Sequence, residues 1–156
     1  MISVREISSD AAILPDVLEL LHRSFAYMED RIDPPSSLHR LTPANIRETA
    51  RQGGLVGAFD GEELVGCVFL KYDGEALYVG KLAVEPGRQG HGIGRALILE
   101  AERRAADRDF LKVTLQTRIE LIENHTAFAK MGFVKTGETA HDGYDRPTSI
   151  TMTKIL

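Results

Sequence analysis

A mixed α/β fold, one sheet flanked by helices in the order β-α-α-β-β-β-α-β-α-β-β, is predicted by three features of the 156-residue sequence. Apolar residues recur at helical spacing in some segments and at strand spacing in others. Two Asp-Gly pairs, Asp60-Gly61 and Asp73-Gly74, divide three consecutive strand-like segments, and this dipeptide supplies the positive backbone angles of tight hairpin turns. A glycine-rich turn then leads from a strand into a helix and on to another strand, the pattern of a right-handed parallel crossover. The length suits a single domain over residues 1–156.

Ile2 to Ile7 alternates roughly between apolar and polar residues and reads as the first strand. From Asp10, taken as an N-cap, Ile13, Val17, Leu20, Leu21, Phe25 and Met28 follow at helical spacing. Asp33-Pro34-Pro35-Ser36-Ser37 breaks that helix, because each proline pushes its predecessor out of the helical region. Thr42-Pro43 opens a short helix that Gly53-Gly54 ends. Leu55 to Phe59, Glu63 to Tyr72 and Ala76 to Val84 are three antiparallel strands. The middle one is apolar on both faces, which predicts a central strand covered by helices on both sides, with Cys67 a buried small hydrophobe. Gly80 marks a bulge that splays its strand from the next. Ile93, Leu97, Ile98, Ala101 and Ala105 form one stripe of a helix ending near Arg108, and Lys112 to Thr117 is the strand after it. A helix from Ile122 stops at Met131-Gly132, and Phe133 to Thr139 and Ser149 to Lys154 close the sheet.

Composition narrows the function. Lys and Arg number 19 against 23 Asp and Glu, a net charge of -4, so there is no broad positive field and nucleic acid is not an expected partner. The single cysteine allows neither an internal disulfide nor a Cys-pair metal site, and the histidines lack ligand spacing, so no metal is expected. The N-terminus has no basic region followed by an apolar stretch, and no run suits a membrane span, so the expected location is the cytoplasm without a membrane partner.

The strongest chemical signal is Leu82-Ala83-Val84-Glu85-Pro86-Gly87-Arg88-Gln89-Gly90-His91-Gly92-Ile93-Gly94-Arg95. A helix start carries unpaired N–H groups and a partial positive charge, and glycines let phosphate oxygens approach the main chain, so this segment is suited to a diphosphate. It lacks the Gly-Lys-Ser/Thr ending of a nucleotide P-loop, and no βαβ unit opens the chain as a dinucleotide site would require. Gln89-x-x-Gly92-x-Gly94 resembles the Q/R-x-x-G-x-G/A signature of the GNAT acetyltransferases, and Leu82-x-Val84-x-Pro86 resembles the family's fourth strand. Asn124 to Phe133 is similar to its last helix and Gly-Phe step, so the resemblance covers most of Gly53 to Leu156.

The resemblance implies a GNAT-like fold, acetyl-CoA as cofactor, and transfer of the acetyl group to a primary amine in a ternary complex. It implies that residues 89–95, namely Gln89, Gly90, His91, Gly92, Ile93, Gly94 and Arg95, serve the pyrophosphate, with His91 presenting its backbone. Leu82, Ala83 and Val84 would serve the pantetheine arm and the thioester oxyanion, with Asn124 and Phe128 beside the arm. Many members have a tyrosine four residues before the glycine of Gly-Phe as proton donor to the leaving thiolate; here that place is Phe128. A thiol pKa near 8.5 makes expulsion of thiolate at neutral pH cost only about 2 kcal/mol, and water or Tyr144 is the alternative donor. Phe128 also motivates an alternative, a catalytically silent acyl-CoA-binding sensor.

Bases to take the amine proton are sought among Glu29, Asp33, Glu75 and His141. The acceptor is expected between the loops Met28 to Ser37 and Tyr144 to Ser149, with Met28, Arg31, Asp33, Ser36, Ser37 and Arg146 as candidate contacts. Arg31 and Arg146 suit either a bidentate grip on an acceptor carboxylate or pairing with Asp33 and Asp145. The acceptor is a small-molecule or peptide amine whose identity the residues leave open. Family members are often dimers, which makes a homodimer the implied assembly, though no residue pattern marks an interface.

Overall fold

The computed structural model describes residues 1–156. Seven strands form one sheet: β1 (Ile2–Glu6), β2 (Leu55–Asp60), β3 (Glu63–Asp73), β4 (Ala76–Val84), β5 (Lys112–Arg118), β6 (Val134–Thr139) and β7 (Ser149–Ile155). Four α-helices accompany them: α1 (Leu14–Phe25), α2 (Pro43–Arg51), α3 (Ile93–Asp107) and α4 (Ile122–Lys130). The strand order is β1-β2-β3-β4-β5-β7-β6, antiparallel except for the parallel pair β4 and β5 that α3 connects. The element order and the mixed sheet agree with the sequence.

Apolar periodicity becomes two cores, one on each face of the sheet. On one side the α3 stripe of Leu97, Ile98, Ala101 and Ala105 packs on Val68, Leu77 and Val113. On the other, Val17, Leu20 and Leu21 of α1 and Ile46 of α2 pack on Leu55 and Cys67. β3 therefore is covered on both faces. Cys67 is fully buried, and desolvation pushes its thiol up to about 12, so it packs as an uncharged small hydrophobe.

Local chemistry sets the ends of the elements. Thr42 caps α2 in a reciprocal box: its Oγ1 accepts from the Asn45 N–H at 3.2 Å, and Asn45 Oδ1 accepts from the Thr42 N–H at 3.0 Å. Helix α1 corrects the sequence reading, since it starts at Leu14 rather than after Asp10. Pro15 lacks the N–H and carries the ring that would clash one turn into a helix begun at Asp10, but it is tolerated in a first turn. The Asp10 carboxylate instead receives the Ser8 hydroxyl. Past Phe25 the chain tightens into a 3₁₀ turn over Ala26–Met28, and a second 3₁₀ turn, Ser37–Arg40, ends the proline loop. No helix is long and apolar enough to cross a membrane.

Candidate active site

The parallel register of β4 and β5 runs only from Ala76↔Lys112 to Val79↔Leu115. Beyond it β4 stays with β3 as far as Gly66↔Val84, while β5 stays with β7 as far as Arg118↔Ser149. The two strands therefore part company, and a cleft of about 920 Å³ opens between them. A bulge accompanies the split: Lys81 and Leu82 together oppose Val68, and Lys81 takes φ +49°. The sequence placed this bulge at Gly80; it lies one residue on, where the left-handed conformation falls on a lysine. Glu85 donates its N–H to Val65 O at 2.9 Å. Strand alternation then turns the N–H and C=O of Val84 away from β3 and toward the open side.

The glycine-rich turn closes one end of the cleft. Gly92, φ +83°, is the N-cap of α3 and no side chain caps the helix; the Ala96 N–H makes the first bond, to Gly92 O at 3.0 Å. The N–H groups of Ile93, Gly94 and Arg95 thus have no acceptor within the helix. A Cβ on Gly90 or Gly92 would meet no atom within 4 Å, so the main chain stands open to a ligand. Long-range ion pairs fix the turn. Arg88 holds Asp60 at 2.6 Å and Glu63 at 2.8 Å on the β2–β3 hairpin, and Arg23 of α1 grips Glu85 with two nitrogens, the shorter contact 2.9 Å.

Of the residues expected at the cofactor, Leu82, Val84, Gln89, Gly90, Gly92, Ile93, Gly94, Arg95, Asn124 and Phe128 line this cleft. Two do not. The Ala83 side chain is buried under α1, and its backbone is in register with Cys67. His91 is exposed at the apex of the turn. Phe128 packs edge-on against Phe133, ring centroids 6.1 Å apart, and carries no proton to give.

The acceptor candidates divide likewise. Met28, Ser36, Ser37 and His141 line the cleft. Arg31 pairs with Glu123 at 2.8 Å, and Arg146 pairs with Asp33 at 3.0 Å, so neither guanidinium is free and neither has the neighbour in sequence considered for it. Asp33 also accepts the Tyr144 hydroxyl at 2.6 Å, which latches the two loops together and raises the Tyr144 pKa. Glu29 pairs with His39 at 3.0 Å. Glu75 lies in the β3–β4 turn, at the opposite end of β4 from the split, and the direction of the strand rules it out of the cleft.

His141 is held in a defined orientation. Thr148 Oγ1 accepts the His141 backbone N–H at 3.0 Å and lies 3.3 Å from Thr139 O. The ring Nδ1 also meets the Thr148 Oγ1, which fixes the orientation of the ring. Burial first, then the charges of Arg118 and Arg40, push the His141 pKa below its ordinary value, which keeps the ring neutral at pH 7.

Sequence reasoning missed Tyr78, Lys81, Gln116, Thr117 and Arg118, which also line the cleft. Arg118 is buried and donates to Pro34 O at 2.8 Å and Pro35 O at 3.0 Å, tying β5 to the proline loop. Its only signal in the sequence was position, one residue past a strand predicted to end at Thr117.

A sheet cut open at its parallel strand pair, with an uncapped glycine-led helix start at the mouth, defines a class of α/β protein built around a cleft between two strands. The family model described as acetyltransferase (GNAT) family matches residues 14–133. The chain belongs to the GNAT acetyltransferase family. No curated protein matches it in sequence. Among solved structures, PaiA N-acetyltransferase from Thermoplasma acidophilum, in complex with coenzyme A, is 20% identical over 100% of this chain and 99% of that one, with a TM-score of 0.81. Ard1 from Thermoplasma volcanium is 22% identical over 99% and 97%, TM-score 0.75. The ribosomal-protein-S18-alanine N-acetyltransferase from Escherichia coli is 15% identical over 99% and 94%, TM-score 0.73. At these identities the likeness is one of fold.

Proposed function

We propose that the protein transfers the acetyl group of acetyl-CoA to a primary amine by direct attack in a ternary complex. The observation that carries this reading is the uncapped start of α3, three unpaired N–H groups behind two glycines at positive φ, facing the cleft where β4 and β5 separate. The residues fit the cofactor. Ile93, Gly94 and Arg95 would hold its pyrophosphate through main-chain N–H groups, and the open side of Val84 would pair with the pantetheine arm, which Asn124 and Phe128 flank. Acetyl-CoA supplies an acetyl group activated as a thioester.

His141 is the base in this reading. Its ring borders the cleft, and a neutral imidazole has one nitrogen able to accept the proton that the amine must shed. Tyr144 is not the acid, because its hydroxyl is committed to Asp33 and its raised pKa makes it a poorer donor than a free tyrosine. The weak basicity of a thiolate removes most of the need for one.

Thiol release from acetyl-CoA with a panel of amines tests the proposal, turnover with at least one amine being the expected result. Phe128 favours a second reading, a sensor that binds acyl-CoA and does nothing further. Tight CoA binding with no release on any amine would establish the sensor in place of the enzyme.

A further inference from the structure

We infer that the acceptor amine also carries a carboxylate, held by Lys81 and Arg118 at the acceptor end of the cleft; this rests on the acetyl-transfer reading above. Apart from Arg95 at the start of α3, the cations elsewhere around the cleft are already answered. Arg31 has Glu123, Arg146 has Asp33, Arg23 has Glu85 and Arg88 has Asp60 and Glu63. Glu123 is the one carboxylate side chain lining the cleft, and it is the one taken by Arg31. Lys81 and Arg118, which line the cleft, enter no ion pair. The nearest polar partner of Lys81 Nζ is the Ser37 hydroxyl, 3.4 Å away.

The placement of these cations is that of an acceptor site. Lys81 occupies the bulge where β4 leaves β5, beside the expected position of the thioester, and its side chain reaches toward the 3₁₀ turn that carries Ser37 and Arg40. Arg118 stands across the cleft on β5, gripping the backbone of the same loop. The pyrophosphate end is served separately by the start of α3 and Arg95, so the acceptor cations are not needed for the cofactor.

Their burial points the same way. Burial and then the charge of Arg40 push the Lys81 ammonium down. Burial pushes Arg118 down as well, and Glu120 and Asp33 answer it only in part. The like charges of Lys81 and Arg118 on one partly desolvated cleft, in a protein whose net charge is -4, repel one another until an anion joins them. A carboxylate close to the attacking amine relieves that repulsion, whereas a second ammonium adds to it.

The test uses acceptor triplets that share a scaffold: 3-aminopropanoate, its amide and 1,3-diaminopropane, with peptides bearing an acidic, amidated or basic residue next to the N-terminal amine as a separate arm. The small-molecule and peptide arms distinguish a free amino acid from an acidic peptide as the source of the carboxylate. The acidic member should exceed the amide by about tenfold in kcat/KM, with the dication poorest. Lys81→Gln should collapse that ratio to near one, Lys81→Arg should keep it, and both should bind CoA as the parent does. Titration of the CoA-loaded protein with the same triplets gives a readout independent of turnover. A neutral or dicationic preference, no carboxylate-dependent binding, or an unchanged ratio in Lys81→Gln overturns the inference. Absence of CoA binding in the parent protein would instead overturn the acetyl-transfer reading.

Discussion

Gly92 holds φ +83° at the N-cap of α3, a conformation that costs an L side chain about 1–2 kcal/mol and that here leaves the main chain bare. Gly92→Val should weaken CoA binding at least about tenfold, since a branched side chain would stand where phosphate oxygens approach the N–H groups, and titration calorimetry would read the change. His141→Gln should lower kcat/KM about 10²-fold at pH 7 without altering CoA affinity. Because the folded pKa of His141 is lowered, the acid limb of the kcat/KM profile should fall below the ordinary histidine value of about 6.5 and vanish in the variant. Tyr144→Phe removes one hydrogen bond to Asp33 and should leave the rate of CoA release unchanged. The glycines and Gln89 were legible in the sequence because their conformational role is that of their own backbone and their spacing is local. The partners of Arg31 and Arg146 were not, because Glu123 and Asp33 lie 92 and 113 residues away in the chain, and only the fold brings them together.

At the scale of elements, the loop before α2 is fastened from two directions. Arg118 of β5 donates to the carbonyls of Pro34 and Pro35, and Asp33 receives both Tyr144 and Arg146 from the loop before β7. Arg118→Ala should therefore cost about 2 kcal/mol, a fall in Tm of about 5 °C, from two lost charge-assisted hydrogen bonds. It should raise the KM of the acceptor more than that of acetyl-CoA, since the loop borders the acceptor end only. Most elements could be read from periodicity and turn residues: the Asp-Gly hairpins, the Thr42 cap and the α3 stripe all follow local rules. Two departures had local causes that the hydrophobic pattern concealed. Pro15 delays α1, and the bulge falls on Lys81 rather than Gly80, because β3 and β4 settle it by their mutual register. The insertion of β7 between β5 and β6 was not legible, since strand order depends on contacts far apart in the sequence.

The molecule as a whole places its two cores on either face of one sheet and its functional cleft where that sheet fails to pair. The packed faces lie apart from the cleft: β4 stays paired with β3 and β5 with β7, and the open edge between β4 and β5 supplies unpaired main chain. A ligand that binds only the folded state adds about 2.7 kcal/mol at a concentration a hundred times its Kd, so saturating CoA should raise Tm by several degrees. Gly92→Val should lose most of that increment, while Lys81→Gln should keep it. The most direct measurement is calorimetric titration of the intact protein with acetyl-CoA, alongside Gly92→Val. Saturable one-to-one binding, weakened at least about tenfold in the variant, is the predicted result. Heat indistinguishable from dilution in the parent protein, or equal affinity in the two, would contradict the account.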